Sequence, residues 1–180
     1  MKTLIRPLSL LFLLAFALIA NAQLERIEDA IEDENYLRVV KIAEKYMEDK
    51  ELKKDPRIYY YHAMGLYELA QDEFYFEDHP DAIKIAVRSV FKGLKKDNDT
   101  TAITPFLRFV DDLVVRQNEL AYDQYSINKY SKSHKMYRYS YELNEDRMAY
   151  YMMGKTALLM ESTADRYLLS NFSVLALNLV

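Results

Sequence analysis

The sequence carries one short pattern twice, and the pattern places a glycine inside a predicted helix. Each copy has a tyrosine, an apolar residue three positions later and a glycine directly after it: Tyr61, Met64 and Gly65, and Tyr150, Met153 and Gly154. A glycine inside a helix costs roughly 1 kcal/mol relative to alanine, so it is tolerated where a second helix approaches its backbone. The pattern therefore predicts a repeat protein whose helices pack closely at Gly65 and Gly154.

The scarcity of turn-forming residues also favours helices. Only 3 glycines and 4 prolines occur among 180 residues, which favours long helices joined by short polar connections over β-hairpins. The chain contains no cysteine, which excludes disulfides, thiolate nucleophiles and cysteine-ligated zinc. Its net charge of −4 gives no reason to expect binding to nucleic acid or to an anionic membrane. Burial of apolar helix faces must therefore supply the stability.

The N-terminal residues 1–22 are predicted to be a secretory signal peptide. Lys2 and Arg6 precede an apolar run over residues 8–19, and small residues precede the expected cleavage after Ala22. A transmembrane anchor is the alternative, but an apolar run of about 12 residues is shorter than the roughly 20 that span a bilayer. We expect an acidic mature protein that is periplasmic or secreted.

Apolar residues at helical spacing predict seven helices in the remainder of the chain. They cover residues 24–34, 36–47, 56–72, 81–96, 105–125, 128–143 and 147–160. The polar stretch 97–101 is the clearest break between them. Residues 73–80, with the sequence EFYFEDHP, are interpreted as a helix end or a loop. The alternative is a docking loop anchored by Phe74, Tyr75 and Phe76.

These helices and their small residues resemble tetratricopeptide repeats (TPRs), which are helix-turn-helix units of about 34 residues. The first-helix pattern is carried by the two glycine motifs with Ala157, and by Leu120 and Ala121. The second-helix pattern is carried by Ala86, Val90, Gly93 and Leu94, and by Ser133, Tyr137, Ser140 and Tyr141. The separation of Gly65 from Ala86 exceeds that of a regular unit, so residues 73–80 are interpreted as an insertion.

The resemblance implies an all-α fold, an α-α superhelix of stacked helical hairpins that forms a degenerate TPR-like solenoid. It covers residues 23–162 as one repeat domain, with three complete hairpins and the opening of a fourth. With the predicted signal, the chain is similar to exported TPR-like proteins of the Bacteroidota type.

The C-terminal residues 163–180 form an apolar segment that the resemblance does not explain, because repeat arrays usually end in a polar capping helix. Its apolar residues are Leu168, Leu169, Phe172, Val174, Leu175, Leu177, Leu179 and Val180. Three interpretations remain open. The segment packs on the last hairpin as an incomplete repeat or cap, it continues into a longer protein, or it contacts a partner or membrane.

No residue pattern for catalysis or for cofactor binding is evident. The histidines His62, His79 and His134 lie in different units without metal-ligand spacing. The carboxylate clusters at residues 32–34, 48–51 and 111–112 fit solvated helix faces, and no glycine-rich phosphate loop or nucleophile elbow occurs. We therefore predict a protein that is not an enzyme, with no cofactor and no metal.

Stacked helical hairpins present a concave groove lined by the first helix of each pair, and this groove can hold a peptide. In the register of the repeats, the predicted groove residues are Tyr59, His62, Leu66, Asn118, Tyr122, Tyr125, Tyr151 and Lys155. Tyrosines suit binding, since each brings a large area, a hydroxyl and few rotatable bonds. The alternative is that these tyrosines fill the core of a protein without tryptophan.

The predicted function is a non-enzymatic scaffold for protein–protein interaction in the cell envelope. Its groove would bind a peptide or protein segment, and only the cleaved signal would contact the membrane. The alternative is an N-terminal accessory part of a longer envelope protein, whose activity or anchor lies beyond residue 180.

Overall fold

The computed structural model describes residues 23–161, and within this range it contains eight α-helices and no β-strand. The helices are α1 (23–32), α2 (Tyr36–Glu48), α3 (Pro56–Leu69), α4 (Glu73–Asp78), α5 (Ala82–Leu94), α6 (Leu107–Ser126), α7 (Tyr130–Asn144) and α8 (147–161). Short 3₁₀ helices at Leu52–Lys54 and Thr104–Phe106 precede α3 and α6. The predicted all-α class is confirmed.

The chain divides into two compact units between Leu107 and Arg108. The first unit contains α1 to α5, and the second contains α6 to α8. One repeat domain over residues 23–162 stays a prediction. The predicted signal peptide (1–22) and the apolar segment (163–180) lie outside the described residues.

Short polar residues determine where α2, α3 and α4 begin. The side chains of Asn35, Asp55 and Asp72 each accept a hydrogen bond from a backbone N–H in the first turn of α2, α3 and α4. Pro56 stands at the start of α3, where its missing N–H costs no hydrogen bond. The predicted breaks before residues 36 and 56 are therefore confirmed.

One type of turn joins α1 to α2 and α6 to α7. Glu34 and Asn128 adopt the left-handed conformation, with φ of 52° and 61°. In each turn the N–H of this residue donates to the carbonyl three residues earlier, and the next N–H donates to the carbonyl five residues earlier. These paired bonds form a Schellman motif, which ends one helix and leaves three residues before the next one begins. Both units thus contain a hairpin of the same construction.

The core of the first unit forms where α1, α2 and α3 meet. Apolar residues one helical turn apart on each helix provide its buried members: Leu24, Ile27, Ala30, Val39, Ala43, Tyr46 and Ile58. Helix α3 also packs along α5, so α3 has neighbouring helices on two sides. At about 25 cal/mol per Å² of apolar surface, burial of such faces is the main stabilising term of a helical unit.

Gly65 and Gly93 lie at close helix contacts. A Cβ atom built on Gly65 would lie 2.9 Å from Cγ2 of Val40 and 3.3 Å from the carbonyl oxygen of Tyr36, both on α2. A Cβ on Gly93 would overlap the ring of Tyr60 on α3. The predicted close contact at Gly65 is confirmed.

The same prediction is wrong for Gly154 within the described residues. A Cβ built on Gly154 meets no atom within 4 Å, and the residue is exposed on α8. The sequence motif is shared with Gly65, but no helix of residues 23–161 covers this one. The motif alone therefore does not establish a contact.

Residues 73–78 form a separate short helix, α4, so they are neither the extended end of α3 nor a loop, the two forms that the sequence predicted. Asp72 caps the helix by accepting from the N–H of Tyr75 at 2.8 Å, and none of its residues is buried. Phe74 is 81% exposed. The centres of the Tyr75 and His79 rings lie 4.4 Å apart. The interpretation of residues 73–80 as an insertion into a repeat stays a prediction.

The polar connection after α5 is fixed by one buried carboxylate. Asp97 accepts hydrogen bonds from the N–H of Ile103 at 2.8 Å, from the N–H of Ala102 at 3.3 Å and from the hydroxyl of Tyr60 at 3.2 Å. The chain then passes through the 3₁₀ helix at Thr104–Phe106, so α6 begins two residues later than the predicted start at Pro105.

Small polar and apolar residues bring α6, α7 and α8 close together in the second unit. The core contains Ala121, Tyr137, Ala149 and Met152. The hydroxyl of buried Ser133 on α7 donates to the carbonyl of Ala121 on α6 at 2.8 Å. Because serine and alanine have short side chains, the two helix backbones can approach each other here.

Candidate partner-binding surface

Three of the predicted groove residues are buried in the first unit, which corrects their placement on an open surface. Tyr59, His62 and Leu66 are 7%, 4% and 6% exposed. The hydroxyl of Tyr59 donates to the carbonyl of Lys53 at 3.1 Å. The physical reason is that α2 and α5 cover two sides of α3, so these side chains serve packing.

The other five predicted residues come together in the second unit, on α6 and α8. At one end, Nδ2 of Asn118 donates to Oδ1 of Asp146 at 3.3 Å, just before α8 begins. At the other end, Nζ of Lys155 lies 5.1 Å from the ring centre of Tyr125. Because both helices advance in the same direction between these contacts, α6 and α8 lie side by side and run parallel.

The exposed part of this surface consists of Tyr122, Tyr125, Tyr151 and Lys155, which we call the tyrosine patch. Tyr122 and Tyr151 are 58% and 62% exposed, and Tyr125 is half-buried. The rings of Tyr122 and Tyr125 are stacked, with centres 6.0 Å apart. Large aromatic faces are thus presented to solvent around one positive charge.

The ammonium group of Lys155 is held within the patch by its aromatic neighbours. A hydrogen bond with Tyr125 raises the pKa of Lys155, and the nearby hydroxyls of Tyr151 and Tyr122 add to this effect. Lys155 therefore stays positively charged at neutral pH. Its position over Tyr125 also allows a cation–π contact, which orients the ammonium group while leaving it exposed.

Two tyrosines of α7 support the patch, one of them buried and the other half-buried. Tyr137 on α7 is 2% exposed, and its burial raises the pKa of its hydroxyl to about 12. The centre of the Tyr130 ring, at the start of α7, lies 5.6 Å from the centre of the Tyr125 ring. The predicted groove tyrosines therefore take both of the roles that the sequence left open, since Tyr59 belongs to the core and Tyr122 to the surface.

A buried histidine and serine pair joins α3 to α5 and was not evident from the sequence, because its members are 27 residues apart. Nδ1 of His62 lies 2.8 Å from Oγ of Ser89, and Nε2 of His62 lies 3.7 Å from Oε1 of Glu44. Burial lowers the pKa of His62, while Glu44 partly opposes this. Ser89 is only 3% exposed, so its hydroxyl has no route to a substrate and the group is structural.

A basic depression at the start of α7 was also not predicted. It has a volume of about 690 Å³ and is lined by Asn128, Lys129, Tyr130, Ser131, Lys132, Lys135 and Met160. The three lysines recur every three residues along the sequence, a spacing that keeps them near one side of the helix. This depression carries three positive charges, which distinguishes it from the tyrosine patch with one.

Metal ligands and membrane-spanning helices were sought in the part of the chain that the structure describes. Residues 23–161 hold no group of three or more histidine, aspartate or glutamate side chains that could bind a metal ion. None of the helices in this range combines the length and hydrophobicity that a membrane crossing requires.

No protein-family model matches the chain, and neither a curated protein nor a solved structure matches it significantly. The resemblance to tetratricopeptide repeats therefore stays a prediction from sequence.

Proposed function

We propose that this chain is a non-enzymatic interaction protein that binds a peptide or protein segment at the tyrosine patch. The observation that carries the proposal is the assembly of Tyr122, Tyr125 and Tyr151 around Lys155 on two parallel helices. Exposed aromatic rings lose little conformational entropy when a partner covers them, because tyrosine has few rotatable bonds. Such residues are frequent at the energetic centres of protein interfaces.

The chemistry of the patch defines the partner segment that would fit it. The ring faces offer apolar area, the hydroxyls offer hydrogen bonds, and the ammonium group of Lys155 offers a positive charge. A segment that places a carboxylate next to an aromatic or aliphatic side chain would engage all three. The carboxylate would pair with Lys155 at the exposed edge, where its main contribution is orientation.

The repeat character supports a binding surface on α6 and α8. In a TPR-like array, parallel first helices of successive hairpins line the same face. Helices α6 and α8 run parallel with α7 between them in sequence, and the α6–α7 turn has the same construction as the α1–α2 turn. We propose a degenerate TPR-like solenoid of the exported Bacteroidota type, acting in the cell envelope.

Site-specific photocrosslinking in the cell that makes this protein tests the proposal. A photoreactive aromatic amino acid replaces Tyr122 in one variant and Phe74 in a control variant. Both positions are exposed aromatic residues on helices, with Phe74 81% and Tyr122 58% exposed. A specific partner would give a discrete adduct from position 122 that mass spectrometry can identify, and no such adduct from position 74.

Two charge-reversing substitutions test where on the second unit the partner binds. Adding Lys155→Glu to the Tyr122 crosslinking variant should remove the adduct, whereas adding Lys132→Glu in the basic depression should preserve it. If position 122 gives no adduct, or if both positions give the same adducts, the tyrosine patch is not a specific binding site. If Lys132→Glu alone removes the adduct, the partner binds at the basic depression.

A further inference from the structure

The basic depression at the start of α7 concentrates positive charge in a chain that is acidic as a whole. Lys129, Lys132 and Lys135 line it. The surrounding residues 124–141 contain no aspartate or glutamate, although the net charge of the chain is −4. Like charges at this spacing on a helix repel one another. The neighbouring sequence therefore leaves the positive field of the depression without compensation.

The rest of the fold does not supply the missing negative charge either. None of the three ammonium groups forms an ion pair with a carboxylate of residues 23–161, whereas Nζ of Lys54 lies 2.7 Å from Glu51. The neighbour of Lys135 is aromatic, since its Nζ lies 5.9 Å from the centre of the Tyr139 ring. A cation beside an aromatic ring keeps its charge and can still bind an anion.

The walls of the depression are held in place by contacts within the second unit. Asn128 adopts the left-handed conformation of the Schellman turn, and its Oδ1 accepts a hydrogen bond from the hydroxyl of Tyr130 at 2.5 Å. The centre of the Tyr130 ring lies 5.6 Å from that of Tyr125, and Met160 on α8 adds an apolar wall. Because the depression is formed in advance, a ligand loses less free energy in ordering it.

We propose that the basic depression binds a soluble ligand that carries a phosphate group. Its volume of about 690 Å³ lies in the range of small-molecule sites, roughly 300–1,000 Å³. The lining offers three ammonium groups, the hydroxyl of Ser131 and the amide of Asn128, and it contains no carboxylate. Since Oδ1 of Asn128 is engaged by Tyr130, the amide offers its N–H donors. A phosphate brings the negative charges and acceptor oxygens that these groups require, and lysine binds phosphate as a point charge.

A soluble ligand fits the depression better than an anionic membrane does. Charges on a protein surface are largely screened beyond about 8 Å at physiological salt, so a small anion in the depression interacts mainly with the three lysines. A membrane is an extended surface and would also approach other parts of a chain with a net charge of −4. The inference is independent of the proposed function, because neither Tyr122 nor Lys155 lines this depression.

Isothermal titration calorimetry with inorganic pyrophosphate tests the proposal, at an ionic strength held constant with sodium chloride. The unsubstituted protein should bind pyrophosphate. Lys132→Gln should weaken binding by about tenfold, because it removes one charge-assisted hydrogen bond. Lys132→Arg keeps the charge and should restore most of the affinity. The matched control is Lys41→Gln, which neutralises an exposed lysine on α2 and should leave the affinity unchanged.

Circular dichroism verifies that each variant is folded, and a vesicle experiment separates the two sources of phosphate. The protein should stay in the supernatant when vesicles of phosphatidylcholine and phosphatidylserine are sedimented. The proposal is overturned if pyrophosphate does not bind, or if Lys41→Gln weakens binding as much as Lys132→Gln. It is also overturned if the protein binds the vesicles but not pyrophosphate, since the lysines would then contact a membrane surface.

Discussion

The ring of Tyr60 lies directly on the backbone of Gly93, where a Cβ atom would come within 2.9 Å of Cδ1 of that ring. The hydroxyl of the same tyrosine donates to the carboxylate of Asp97. Tyr60 therefore fixes both the approach of α5 to α3 and the connection that follows α5.

Gly93→Ala should destabilise the first unit by about 1–3 kcal/mol, because the added methyl group overlaps the buried ring of Tyr60. Gly65→Ala is the matched comparison. There the methyl meets the Cγ atoms of Val40 and Val39 at 2.9 and 3.0 Å and the backbone oxygen of Tyr36 at 3.3 Å, which is less overlap than at Gly93, and the roughly 1 kcal/mol gained in helix propensity offsets part of the cost. Urea unfolding curves measure both changes. Equal destabilisation by the two variants would contradict this ranking.

Tyr60→Phe should cost about 1 kcal/mol of unfolding free energy, since it removes one hydrogen bond and keeps the ring. Asp97→Ala should cost more, because it leaves the N–H groups of Ile103 and Ala102 without their acceptor. The difference is measured by chemical denaturation at neutral pH. If Asp97→Ala were as mild as Tyr60→Phe, the connection would not depend on this carboxylate.

The buried His62 should make the first unit sensitive to acid. Burial lowers its pKa in the folded state below the ordinary 6.5, and Lys92 on α5 acts in the same direction, while Glu44 on α2 opposes them. As the pH falls through 6.5, the unfolded chain therefore takes up the proton first. The unfolding free energy should fall by at most about 1.4 kcal/mol per pH unit between 6.5 and the folded-state pKa.

His62→Gln is the control for this pH dependence, because the amide can still bond to Ser89 and does not titrate. Melting temperatures recorded between pH 7.5 and 5 should have a smaller slope in His62→Gln than in the unsubstituted protein. The assignment fails if the two slopes are the same.

Tyr122→Ala should leave the melting temperature nearly unchanged, since its side chain is 58% exposed. Tyr137→Ala, one helix away and 2% exposed, should cost about 3–5 kcal/mol, as expected when a core aromatic residue is truncated. Calorimetry of the two variants gives the comparison. A loss of several kcal/mol in Tyr122→Ala would assign this residue to the core and remove it from the binding surface.

Glu145→Gly should stabilise the second unit by up to about 1 kcal/mol, because Glu145 adopts the left-handed conformation, with φ of 55°, that favours glycine. Asn128→Gly, at φ of 61°, should give a smaller gain, since asparagine tolerates this conformation. Thermal unfolding distinguishes the two. A loss of stability in Glu145→Gly would show that its side chain matters more than its backbone.

The positions of the helices could be predicted from the sequence because helix periodicity and capping residues are local signals. Asn35 and Asp55 indicate where α2 and α3 begin, and the structure places both as caps. The burial of His62 could not be predicted in this way. Periodicity shows which side of a helix is apolar, but not that α2 and α5 both cover α3.

The candidate surface was predictable in part. The repeat register brought Tyr122, Tyr125, Tyr151 and Lys155 to one surface, because parallel first helices align residues that are far apart in sequence. The same reasoning wrongly placed Tyr59 on the open surface and Gly154 at a close helix contact. Whether a glycine has a neighbour depends on which helix follows it in space, and the motif around Gly154 contains no such information.

The hydrogen bonds around Asp97 have a practical consequence for handling the protein. Residues 97–101 are polar and lie between helices, so from composition alone they would be chosen as the place to insert an epitope tag or a reporter domain. An insertion there would separate Asp97 from the N–H groups of Ala102 and Ile103 and would leave the hydroxyl of Tyr60 without its acceptor. Labelling should instead use a single exposed side chain such as Phe74, whose replacement leaves every one of these bonds in place.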